Sequence, residues 1–203
     1  MTLARSLTLL ADGTSDRVLL HLIELLMNEH RPDLYESKFV EWLPPSAQTT
    51  TQRVKETIVL YPSDLLFVHR DAENIEPSAR ESEIRQGLAG VLNPPHLICV
   101  VPVRMTEAWL LTSEAAIRAA VGNPNGQSDL ALPHPNKVES VDAKSALFKA
   151  LEAAKDLGAN RTRRFRPEKY RHRVAELLPD LDGLRKLPSF RHLESQVASH
   201  FSS

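Results

Sequence analysis

The chain has 203 residues, 42% of them hydrophobic and 25% charged, with a net charge of −1. That is the balance of a globular protein able to bury a sizeable core. No apolar run nears the ~20 residues a bilayer span needs, and the single cysteine, Cys99, excludes an internal disulfide and a cysteine-rich zinc site. The opening "MTLARSLTLLADG" runs into a polar turn without a small-residue cleavage site, so no signal peptide is expected and a reducing cytoplasm fits.

In chain order, "LTLLA" (7–11) is a short apolar run closed by Asp12-Gly13, the pattern of a buried parallel strand. Val18, Leu19, Leu22, Leu25 and Leu26 then repeat at helical spacing, and Pro32 ends that helix. "YESKFVEWLP" alternates like a strand, and "TTTQRVKETIVLYP" is a helix stopped by Pro62. Leu65 to Val68 forms a second apolar strand that runs into His69, Arg70 and Asp71. Ser78 and Glu81 are spaced as a capping box for the next helix. "HLICVVPV" (96–103) is another buried strand, with Cys99 as a small hydrophobe. "TEAWLLTSEAAIRAAVG" is a helix closed by Gly122, with Trp109 expected in the core. "NPNGQSDLALPHPN" is a loop, and three further helices follow, the first ending at Gly158.

Strands alternating with helices predict right-handed βαβ units around a mainly parallel sheet. The expected organisation is an α/β core over residues 1–122 with a helical C-terminal region, 123–203, packed on it. Ligands of such sheets collect at the carboxyl ends of the strands. Asp12, His69, Asp71, Glu73 and Glu107 all fall there, and Asp16 follows at a helix start. If the strands are neighbours, these groups converge. Each also has an ordinary reading: Asp12 as a turn former, Asp16 and Glu107 as first-turn acids that complement a helix dipole, Asp71 as a partner of Arg70.

A haloacid-dehalogenase-type phosphatase is excluded because Leu10 stands where its nucleophilic Asp would be. A phosphate-binding loop lacks its glycines and lysine. The order of motifs instead resembles a Toprim domain, in particular the Toprim nucleases of the OLD (overcoming lysogenization defect) family and their small relatives. "LLADGTSD" is similar to the family's opening acid-Gly pair with a second acid four residues on. "LLFVHRDAE" matches its Asp-x-Asp in part, with His69 in the first place and Asp71 in the second. "VPVRMTEAWLL" resembles its third motif, with Glu107 the acid.

The resemblance implies a Toprim/Rossmann-like fold and a phosphodiesterase acting on DNA or RNA through Mg²⁺ or Mn²⁺. Its metal ligands would come from Asp12, Asp16, His69, Asp71 and Glu73, and its catalytic groups from Asp12, Asp16, Asp71 and Glu107. Imidazole suits Mn²⁺ or Zn²⁺ better than Mg²⁺, so His69 can shift metal preference or end catalysis, while Glu73 can replace the absent carboxylate. Lys144 and Lys137 are candidates to meet the scissile phosphate. The basic segment "RTRRFRPEKYRHR" offers Arg161, Arg163, Arg164, Arg166, Lys169, Arg171 and Arg173 to a nucleic-acid backbone, or else forms a solvated helix face. Small proteins of this kind resemble the nuclease halves of two-part anti-phage defence modules with a separate ATPase, and the chain could also pair with a second copy. The alternative is a catalytically inactive Toprim-like binding or regulatory module.

Overall fold

The computed structural model describes residues 5–30, 35–72, 75–103, 105–156 and 164–202. Pro32, Glu73, Gly158, Arg161 and Arg163 lie outside the described residues. Two compact units are present: residues 1–103 with 192–203, and residues 104–191. The division falls after Val103, ahead of the expected break at Gly122, because the helices that follow it make their contacts with the later helices.

The first unit holds four strands among its described residues: β1 (Arg5–Leu10), β2 (Tyr35–Phe39), β3 (Leu65–His69) and β4 (His96–Val100). All pair in parallel, in the order β2-β1-β3-β4. The α/β fold expected from the alternating pattern is therefore present. The central strand β3 is buried along its whole length, as a parallel strand covered on both faces must be. Leu10, Val68 and Cys99 stand in register, and Leu66 pairs with Leu97. Together they pack under Val54 of α2 (Thr50–Leu60) and Ile84 of α3 (Pro77–Gln86). Strand alternation sends Leu9, Phe67 and Ile98 to the opposite face. The crossover from β1 to β2 runs through α1 (Val18–His30), with Leu19, Leu22, Ile23 and Leu26 fully buried.

Local chemistry sets the helix ends. Thr49 and Gln52 form a capping box at α2, the Thr49 hydroxyl accepting from the Gln52 amide at 3.2 Å. The box expected at Ser78 is not used. Pro77 occupies the first helical position, where its fixed φ is already helical, and places Ser78 inside the helix.

The last helix, α8, spans Pro188–Ser202, and its part from His192 onward belongs to the first unit. There Gln196 accepts from the Cys99 amide at 3.1 Å and donates to the Cys99 carbonyl at 3.0 Å. One side chain thus satisfies both backbone groups that an edge strand would leave open.

The second unit comprises α4 (Glu107–Leu110), α5 (Glu114–Ala120), α6 (Ala143–Lys155), α7 (Arg171–Glu176) and the start of α8. The single helix expected across 106–122 is broken, because the Ser113 hydroxyl caps a new helix by accepting from the Ala116 amide at 3.2 Å. Asp142 caps α6 in the same way, on the Ser145 amide at 3.0 Å. Trp109 is a core residue, edge-on to Phe190 at 5.3 Å, with its indole N–H donated to Ser189 at 2.8 Å. No described helix is long and apolar enough to cross a membrane.

Candidate functional site at the carboxyl ends of β1 and β3

From β1 the chain winds one way to β2, and from β3 the other way to β4, so the neighbours β1 and β3 form a switch point, the place where ligands of such sheets bind. β1 delivers Asp12, and Asp16 follows in the 3-10 turn Thr14–Arg17. β3 delivers His69, Arg70 and Asp71. The convergence of residues distant in sequence thus occurs.

Two environments result. Asp12 is clamped by arginines. Arg53, from the first turns of α2, donates to its Oδ1 at 3.0 Å and also to the Ala11 carbonyl, and the Arg70 Nε stands 3.4 Å from the same oxygen. Arg70 also donates to the Thr50 hydroxyl at 3.0 Å. Thr50 in turn holds the Glu83 carboxyl below the usual carboxylate range, with Arg80, 2.9 Å from Glu83, acting in the same direction.

Asp16 and Asp71 instead face His69. The His69 ring is buried, and its Nδ1 lies 3.1 Å from the Val100 carbonyl. A carbonyl only accepts, so Nδ1 carries the proton and Nε2 presents its lone pair. Nε2 is 3.6 Å from Asp71 Oδ1 and 3.9 Å from Asp16 Oδ2, separations longer than hydrogen bonds. Burial pushes the His69 pKa down, against the opposing pull of Asp16 and Asp12. Asp16 also has an ordinary role, since it accepts from the Gly13 amide at 3.2 Å and closes the turn.

The imidazole therefore has a carboxylate of Asp16 and one of Asp71 as neighbours. Among the described residues no group of three or more His, Cys, Asp or Glu side chains is arranged to hold a metal ion. The donor chemistry nevertheless suits one: hard oxygens with a neutral nitrogen, and a backbone carbonyl that fixes the imidazole tautomer as outer-shell partners of metal ligands do. Asp12, expected among the ligands, has Arg53 and Arg70 as its partners.

The remaining expected residues that are described belong to the second unit. Glu107 is buried and paired with Arg171 at 3.2 Å. Arg171, expected to meet nucleic acid, is thereby directed at a buried carboxylate. Lys144 is exposed on the first turn of α6, beside a shallow hollow lined by Asp142, Ser145 and Phe148. Arg164, Arg166, Lys169 and Arg173 are exposed, Arg173 being paired with Glu176 at 3.1 Å, and the rings of Phe165 and Tyr170 stack at 5.0 Å.

Sequence pattern alone does not single out Arg53 or Arg70 as site residues. Nothing on a helix surface marks which strand end an arginine such as Arg53 will reach. Cys99 is no nucleophile, since burial pushes its thiol up to about 12. No protein-family model, no curated protein and no solved structure matches the chain.

Proposed function

We propose that the chain is a metal-dependent phosphodiesterase acting on DNA or RNA, with its reacting centre at the β1–β3 switch point. The observation that carries this reading is the meeting of Asp16 and Asp71 around the His69 Nε2. Those three residues would hold a divalent cation, which supplies an activated water and neutralises charge on the phosphodiester. Each other task falls to the chain's own groups. The Val100 carbonyl holds the imidazole in the tautomer that can donate its lone pair. Arg53 and Arg70, gathered on Asp12, would turn their remaining N–H groups to a phosphate, with Asp12 keeping them together. The exposed Arg164, Arg166 and Lys169 are cations for a nucleic-acid backbone. In this reading nucleic acid is the partner, and any ATP-driven step falls to a separate subunit.

The test is a Mn²⁺ titration followed by thermal unfolding, run beside cleavage of labelled single- and double-stranded oligonucleotides. Binding predicts a rising melting temperature, about 2.7 kcal/mol of stabilisation at one hundred times the dissociation constant. Absence of both the rise and cleavage would sink the reading. A non-catalytic binding module is the second reading, favoured by the two arginines that occupy Asp12. It predicts oligonucleotide binding with no metal-dependent cleavage.

A further inference from the structure

Beside the switch point lies a cleft of about 320 Å³, whose lining includes Asp12, Arg53, Glu41, Trp42, Pro44 and Pro45. That is the small end of the range for ligand pockets, room for one flat group. Trp42 is 60% exposed, whereas the protein's other tryptophan, Trp109, is fully buried. The exposure is not that of a loose tip. The Tyr61 hydroxyl accepts from the Trp42 amide at 3.2 Å and donates to the Trp42 carbonyl at 3.0 Å, so both backbone groups of Trp42 are tied to the end of α2. Two prolines then stiffen the chain that continues the wall. An indole held outward at a cleft mouth is a preorganised flat surface.

The rest of the cleft lining carries both signs. Arg53 brings donors, and Asp12 and Glu41 bring acceptors. Arg53 is paired with Asp12 at 3.0 Å and Glu41 with Arg17, and a polyanion would still meet the two carboxylates. A neutral heteroaromatic ring edged with donors and acceptors suits both parts of the lining. We propose that this cleft takes one unpaired nucleobase of a single-stranded nucleic acid, stacked on Trp42 with its polar edge toward Arg53 and Asp12. The proposal deepens the phosphodiesterase reading and rests on it for one thing, the placing of the adjoining phosphodiester against Arg53 and Arg70. Base–aromatic stacking tolerates any base sequence, so the cleft selects unpaired strands over duplexes, not one sequence over another.

The test is fluorescence anisotropy with a short labelled single strand, DNA and RNA in turn, on the full chain in EDTA. Competitors are the same sequence as a duplex and a free mononucleotide. The expected result is that the single strand binds more tightly than either. Trp42→Ala should weaken it about tenfold while Trp42→Phe keeps most of the binding, with melting temperatures unchanged because the side chain is exposed. Equal binding by Trp42→Ala, or by the duplex, would overturn the proposal, and a mononucleotide binding as tightly would overturn it in favour of a free-nucleotide pocket. The readout needs no metal. Cleavage with Trp42 irrelevant would therefore remove this inference alone, and Trp42-dependent binding without cleavage would remove the phosphodiesterase alone.

Discussion

Two regions of this protein surround their carboxylates in opposite ways. In the second unit Glu107 is matched by the Arg171 guanidinium, which is permanently charged and hydrogen-bonds in a fixed fork. In the first unit Asp16 and Asp71 face an imidazole whose charge burial disfavours. A guanidinium is a built-in and final answer. A neutral nitrogen among carboxylates leaves room for an exchangeable cation. In the proposed reading the difference separates an acid that holds the fold from acids that would serve chemistry, although all three stand at similar places in the sequence pattern.

Asp71 is where that contrast can be broken most decisively. Asp71→Asn and Asp16→Asn should each reduce Mn²⁺-dependent cleavage by about 100-fold or more and remove the Mn²⁺-induced rise in melting temperature. Wild-type cleavage in both variants would show that these acids are as structural as Glu107. The converse holds for Arg171→Ala, which leaves Glu107 buried without its cation. Urea unfolding should show a loss of about 3–5 kcal/mol, and a loss under about 1 kcal/mol would mean the pair is not structural. Gln196→Ala should cost about 1–3 kcal/mol by the same measurement, because the Cys99 amide and carbonyl lose their partner. Asp12→Asn, by contrast, should lower stability by only about 0.2–1 kcal/mol, since this pair is partly exposed. If instead it abolishes cleavage as fully as Asp71→Asn does, Asp12 belongs with the ligands.

Acidification sharpens the same point. Burial lowers the pKa of His69, and also of His96 and His200, whose rings lie 4.3 Å apart. The unfolded chain therefore takes up protons first, near the ordinary histidine value of 6.5. Stability is complete above that pH and falls as the pH drops through it. Urea midpoints at pH 7.5 and 5.5 check this, and an unchanged midpoint would contradict the buried neutral His69.

Much of the frame is legible in the residues themselves. β1, β3 and β4 are short apolar runs, and such runs bury themselves whatever surrounds them. The gathering of Asp12, Asp16, His69 and Asp71 follows from strand adjacency alone. What stays hidden depends on reach. The arginine clamp on Asp12 joins positions 41 and 58 residues apart through long side chains, and sequence periodicity says nothing of where such chains end. Ser78 shows the local version of the same limit, since a good cap loses to the proline before it. Trp42 is equally silent, because exposure, the property that makes it interesting, has no signature in a row of letters.

The glutamine that closes β4 has a consequence for how the protein keeps to itself. A parallel sheet with a raw margin invites another chain to add a strand, and here a single amide side chain occupies that invitation at Cys99. Polypeptides truncated ahead of residue 196 would regain the open border. They should self-associate through it under conditions in which the intact chain stays dispersed.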